Sequence, residues 1–194
     1  MIRPPFERPD VLAKLRPAWS AARSLILPGA CDPASRPRPP FREFDLAHRG
    51  KYGFADLSDD ALLAELRAFA AALTGARLGS GAARLFRFRR GGYALFYDDA
   101  LSRLTAGVEV TLDLSDALCG PPAIYQEPAR RLEIPQAPGL VAVVERGPST
   151  YRYDRYLPAE VGDAEVLRLR AAFPYQGDER AAGATDEGPL GVAD

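Results

Sequence analysis

The sequence predicts a mainly β protein, a β-sandwich or jelly roll with helices packed on one face. Three observations carry this. From Ala83 onward about eight short runs with strand-like patterning succeed one another, at the spacing of an antiparallel β fold. Turn residues punctuate them at Gly91-Gly92, Gly120-Pro121-Pro122, Pro138-Gly139, Gly147-Pro148 and Gly162-Asp163. Two helical patterns precede them, so the helices form a block of their own that needs a sheet to cover.

The first pattern spans residues 9 to 27. Pro9 and Asp10 make a start signal, and Val11, Leu12, Leu15 and Trp19 recur at helical spacing. Pro17 interrupts it, which predicts a kink or two shorter helices. Leu25 to Leu27 read as a short buried strand ended by Pro28-Gly29. Residues 30–42 are rich in Pro without periodicity and form a loop. The stretch from Phe44 to Phe54 carries no clear assignment. Residues 58–74 are the clearest helix: Ser58 or Asp59 can cap it and Gly75 stops it. Leu62, Leu66, Phe69, Ala70 and Leu73 fall on one face, which packs against something flat and apolar. Strands are expected near 84–89, 93–98, 105–113, 123–127, 131–134, 140–145, 150–157 and 164–173. Residues 1–175 thus form a single domain. The remainder, 176–194, is rich in Gly, Ala and acidic residues and reads as a disordered tail.

Composition narrows the function. A chain of 194 residues, 47% of them hydrophobic, supports one domain with a core and is too short for two comfortable ones. A net charge of -1 removes the electrostatic case for nucleic acid or an anionic membrane. No apolar run approaches the ~20 residues of a membrane span, and the opening MIRPPFERPD lacks the apolar core of a secretory signal. Cys31 and Cys119 lie far apart, outside any C-x-x-C, and read as free thiols in a reducing cytoplasm. His48, read as a loop residue, is the only histidine. That removes most zinc sites, His-based triads and the two-His iron site. Exposed sheet edges leave a homodimer open.

The chemistry concentrates in two stretches. In RRGGYALFYDD, residues 89–99, Tyr93, Leu95 and Tyr97 alternate with Ala94, Phe96 and Asp98 along a strand. Asp98 and Asp99 follow as adjacent carboxylates; they make an acid/base pair, or one of them is merely solvated because successive strand residues point to opposite faces. In the last strand, Arg168 and Arg170 alternate with Leu167, Leu169 and Ala171, so both guanidinium groups share a side. If that side is the interior, each needs a partner: an anionic ligand, Asp99 or Asp154. Tyr151, Tyr153 and Tyr156 interleave with Arg152 and Arg155, which reads as a strand with Tyr packed inside and Arg outside.

The order of these parts resembles the Fe(II)- and 2-oxoglutarate-dependent dioxygenases, in particular their prolyl-hydroxylase-like branch. The resemblance runs from about Trp19 to Tyr175, through AALTG, RRGGYALFYDD, VEVTLDLSD, LEIPQAPGLVAVVERG and YRYDRYLPAEVGDAEVLRLRAAF. It implies a double-stranded β-helix, a cupin-like jelly roll of about eight core strands. It also implies Fe(II) and 2-oxoglutarate, held by a His-x-Asp, a distal His and a basic residue of the eighth strand. The His-x-Asp falls on Tyr97-Asp98-Asp99, so Asp99 keeps the carboxylate and Tyr97 replaces the His. The distal His falls on Asp154, ahead of Pro158. Arg168, or else Arg170, takes the co-substrate position, and Tyr93 stands where this branch often has a co-substrate-binding tyrosine.

The substitutions change what the site can do. The family's metal needs two imidazoles and a carboxylate; here the resemblance leaves Asp99 and Asp154 as metal ligands beside a phenol. A phenol with an ordinary pKa near ~10 is mostly protonated at neutral pH, and an all-oxygen set suits Mg or Ca better than Fe(II). The expectation is a non-catalytic, dioxygenase-like jelly roll that binds a small anion or a protein partner. The alternative is an atypical oxygenase, or a metal-free isomerase, using Tyr97, Asp99 and Asp154.

Overall fold

A computed structural model of the chain describes residues 1–95 and 106–177. The N-terminal pattern resolves into two helices, α1 (Pro9–Ala13) and α2 (Arg16–Ala22). Pro17 lies in the first turn of α2, where its missing N–H costs nothing, so the chain breaks before the proline rather than kinking at it. Leu12 and Trp19 are the buried residues of the pair. Strand β1 (Ser24–Leu27) follows directly.

The unassigned stretch is an antiparallel hairpin, β2 (Arg42–Leu46) and β3 (Gly50–Leu57), with His48 exposed in its turn. Its glycines and outward charges weaken the alternation, but Phe44 stacks on Tyr52 with ring centroids 4.9 Å apart. Helix α3 (Asp60–Thr74) is capped by the Asp59 carboxylate, which accepts from the backbone N–H groups of Ala61 and Leu62 at 3.0 Å. Gly75 ends it in the left-handed region at φ 77°, where a Cβ would be strained. The five residues expected on its apolar face are its buried ones.

Every later run expected to be extended contains a strand: β4 (Ala82–Phe88), β5 (Tyr93–Ala94), β6 (Gly107–Asp113), β7 (Ala123–Glu127), β8 (Arg130–Ile134), β9 (Val141–Arg146), β10 (Tyr151–Asp154) and β11 (Val166–Pro174). The strand order is β1-β9-β6-β11-β4-β3-β5-β10-β7-β8, with β2 on the side of β3. All pairings are antiparallel. Strands β9-β6-β11-β4 make one face and β5-β10-β7-β8 the other, the arrangement of a double-stranded β-helix. Strand β3 pairs with both β4 and β5 and so joins the two faces along one side.

The helices cover the outer side of the first face. Leu66, Phe69 and Leu73 of α3 share a core with Val108, Val110 and Leu112 of β6 and with Leu167, Leu169 and Phe173 of β11. Each such side chain contributes about 1.5–3 kcal/mol on burial. The other side of β6 and β11 looks into the barrel; there Glu109, Thr111, Asp113, Arg168 and Arg170 are polar, while Val166 and Ala172 join an apolar cluster with Phe86 and Phe88 of β4.

Strand β10 corrects one expectation. Arg152 is buried and Tyr151 is 61% exposed, the reverse of a strand with tyrosines inside. The interior supplies a carboxylate for the guanidinium, whereas the phenol reaches water without one. Cys31 and Cys119 are free thiols, and burial pushes that of Cys31 up to about 12. No helix among the described residues is long and apolar enough to cross a membrane. The tail expected from 176 falls almost wholly outside the described residues.

Candidate functional site

The pleat of β11 sends Leu167 and Leu169 to the helix side and Arg168 and Arg170 inward. A buried guanidinium must be matched by carboxylates and hydrogen bonds, and β10 and β6 supply them. Asp154, the last residue of β10, forms a buried ion pair with Nη1 of Arg168. Nη2 of Arg168 donates to the carbonyl of Pro121 at 2.7 Å. The second oxygen of Asp154 lies 3.5 Å from Nε of Arg152.

Arg170 faces another carboxylate, Glu109 of β6. Its Nε donates to Oε1 at 2.9 Å and its Nη2 to Oε2 at 3.1 Å, a bidentate pair of fixed orientation. Glu109 also accepts from Nη1 of Arg146 and from the Tyr125 hydroxyl, both at 2.7 Å, and from Nη1 of Arg152. Thr111 accepts a further bond from Arg152 at 2.8 Å. Burial, the largest influence, pushes the Glu109 carboxyl up, but attraction by Arg170, Arg146 and Arg152 outweighs it and holds the group well below the usual range. Glu109 is therefore ionised at neutral pH. Burial raises the Tyr125 hydroxyl, which stays protonated and donating.

Space around the first pair is small. A cavity of about 10 Å³ lies against Asp154 and Arg168, walled by Phe88, Pro121, Leu157 and Val166. That is about one water's worth. Beside it, sharing Pro121 and Arg155, runs an open groove of about 660 Å³ lined by Leu95, Cys119, Tyr153, Tyr156 and Pro158.

The structure thus brings Asp154 and Arg168 together and gives Arg170 to Glu109 instead. Tyr93 lies on the opposite face of β5 from the buried Ala94, and its hydroxyl bonds to the carbonyl of Ala47 in the β2–β3 turn. It faces away from both arginines, because the pleat that turns Ala94 inward turns its neighbour out. Tyr97, Asp98 and Asp99 lie outside the described residues. Glu109, Tyr125 and Arg146 were not singled out by sequence reasoning, and Arg152 was expected on the outside. The signal for them was weak: single polar residues on β6, β7, β9 and β10 that read equally as a solvated face.

No family model matches the chain, and no curated protein does. Solved structures do. An oxidoreductase of the 2OG-Fe(II) oxygenase family from Burkholderia pseudomallei superposes with a TM-score of 0.64 at 15% identity, covering 84% of this chain and 90% of that one. A prolyl hydroxylase from Trichoplax adhaerens, in complex with a peptide of the hypoxia inducible factor oxygen degradation domain, gives 0.61 at 10% identity, covering 85% and 90%. A prolyl-4-hydroxylase from Pseudomonas putida gives 0.59 at 13%, covering 86% and 100%. The fold is that of the 2OG-Fe(II) oxygenases.

That fold implies iron and 2-oxoglutarate, and the described residues do not fit them. The carboxylate at the distal ligand position, Asp154, is held by Arg168 and lies near Arg152. Arg168, which the resemblance gives to the co-substrate, already carries that carboxylate. Among the described residues no cluster of His, Cys, Asp or Glu is placed to hold a metal ion.

Proposed function

We propose that this oxygenase-fold protein is non-catalytic and acts by binding a protein partner at its surface. The buried Asp154–Arg168 pair carries the reading, because it sets the distal ligand position and the co-substrate arginine against each other. A keto acid would have to displace a carboxylate of the chain itself, beside which only about 10 Å³ lies empty. Binding then falls to the outside, where Leu95 and Tyr156, 44% and 58% exposed, border the open groove. A small anion in the interior is the second reading, favoured by the gathering of Arg146, Arg152, Arg168 and Arg170 in one buried cluster.

Thermal unfolding with Mn(II) and 2-oxoglutarate, separately and together, tests this. A ligand at 100 times its dissociation constant adds about 2.7 kcal/mol, and each kcal/mol moves the midpoint by roughly 2–4 °C at this size. The expected result is no shift in any combination. A shift that needs both ligands would overturn the proposal in favour of an atypical oxygenase using Tyr97, Asp99 and Asp154. A shift with the keto acid alone would favour the interior anion.

A further inference from the structure

Asp154 is 1% and Arg168 3% exposed, so the pair is out of water. The carboxylate has the surroundings of a bound ligand. One guanidinium meets it directly, a second lies 3.5 Å away through Nε of Arg152, and apolar side chains wall the space. Arg168 is held in place independently, because its other terminal nitrogen is anchored on the Pro121 carbonyl at 2.7 Å. The two partners also come from opposite faces of the barrel, Asp154 from β10 and Arg168 from β11. A receptor for a carboxylate is therefore assembled between the sheets, and the chain fills it with its own side chain.

We infer that the barrel contains a self-occupied carboxylate site, in which Asp154 is the built-in occupant of an arginine clamp formed by Arg168 and Arg152. This rests on the non-catalytic reading, since it makes Asp154 a ligand of arginine rather than of metal. The ligand class follows from size. Shortening Asp154 to alanine vacates one carboxyl group beside the existing small cavity, which leaves room for formate and too little for a dicarboxylate.

The test is chemical rescue. Asp154→Ala is expected to unfold several degrees below wild type in sodium chloride. Sodium formate at equal ionic strength should raise its midpoint by roughly 3 °C or more once formate reaches ten times its dissociation constant. Wild type, whose clamp is filled, should show no formate-specific shift. Asp154→Asn, which keeps the volume, and the double variant Asp154→Ala/Arg168→Ala, which removes the clamp, should show none either. Asp154→Ser leaves similar room and is measured in the same way should the alanine variant not fold. A folded Ala or Ser variant with no formate-specific shift overturns the inference, as does an equal shift in the double variant. These failures are separate from that of the non-catalytic reading, which is lost only if wild type responds to Mn(II) and 2-oxoglutarate.

Discussion

Glu109 shows what one residue does when three guanidinium groups surround it. A lone buried carboxylate would take up a proton; this one is held ionised by Arg170, Arg146 and Arg152 against the opposing effect of burial. An unfolded glutamate titrates near ~4.3, so the folded group binds its proton less readily than the unfolded one. Its contribution to stability is then fully present above about pH 4.3 and is lost as pH falls through the lower folded pKa. Replacing Glu109 by Gln should cost about 3–5 kcal/mol at neutral pH, because charged arginines stay buried without their carboxylate. The difference between wild type and Glu109→Gln in urea unfolding should stay constant from pH 7 to about 5. It should narrow only below about pH 4. A difference that shrinks already between pH 7 and 5 would mean that Glu109 titrates there, and the electrostatic account would be wrong.

At the scale of elements, strands and helix ends obey local chemistry to different extents. The N-terminus of α3 is a local matter: Asp59 and not Ser58 accepts the orphan N–H groups of Ala61 and Leu62. Asp59→Ala should therefore lower stability by about 1 kcal/mol while Ser58→Ala leaves it unchanged, measured by thermal unfolding. Equal effects at both positions would place the cap wrongly. This kind of feature was legible in the sequence, as were the turns that separate β4 to β11, because Gly and Pro act within a few residues. The buried polar face was only partly legible. Val108, Val110 and Leu112 announce a core face of β6, but Glu109 and Thr111 on the other side read as solvated until the second sheet closes over them. Arg152 misled for the same reason: its burial depends on Glu109, 43 residues away in sequence. The arginines of β11 were legible as a pair on one side, while the choice of partner, Asp154 for one and Glu109 for the other, is a property of the closed barrel.

Across the whole molecule, buried ion pairs stand beside apolar clusters in the space between the two sheets. Asp154 and Arg152 project from β10 in one face; Arg168, Arg170, Arg146 and Glu109 project from β11, β9 and β6 in the other. The Asp154–Arg168 and Glu109–Arg152 pairs therefore cross the interior and tie the faces together. Such a tie fixes one mutual position of the sheets, because a guanidinium and a carboxylate lose their bond if either strand slips by a residue. It need not add net stability, since both charges have left water. The distinction can be measured by a double-mutant cycle on the pair most exposed to this balance. Asp154→Leu and Arg168→Met should each destabilise by about 3–5 kcal/mol, since each leaves one buried charge without its opposite. The double variant, apolar on both sides and of similar volume, should be more stable than either single one and approach wild type. The coupling read from denaturant unfolding should exceed about 1 kcal/mol, beyond the additivity expected of independent sites. If the two losses simply add, each residue depends on other neighbours and the pair does not bridge the sheets energetically. If the double variant instead recovers stability, the charges in this barrel serve to set the geometry of the faces, and an apolar interior would hold the same fold together as well.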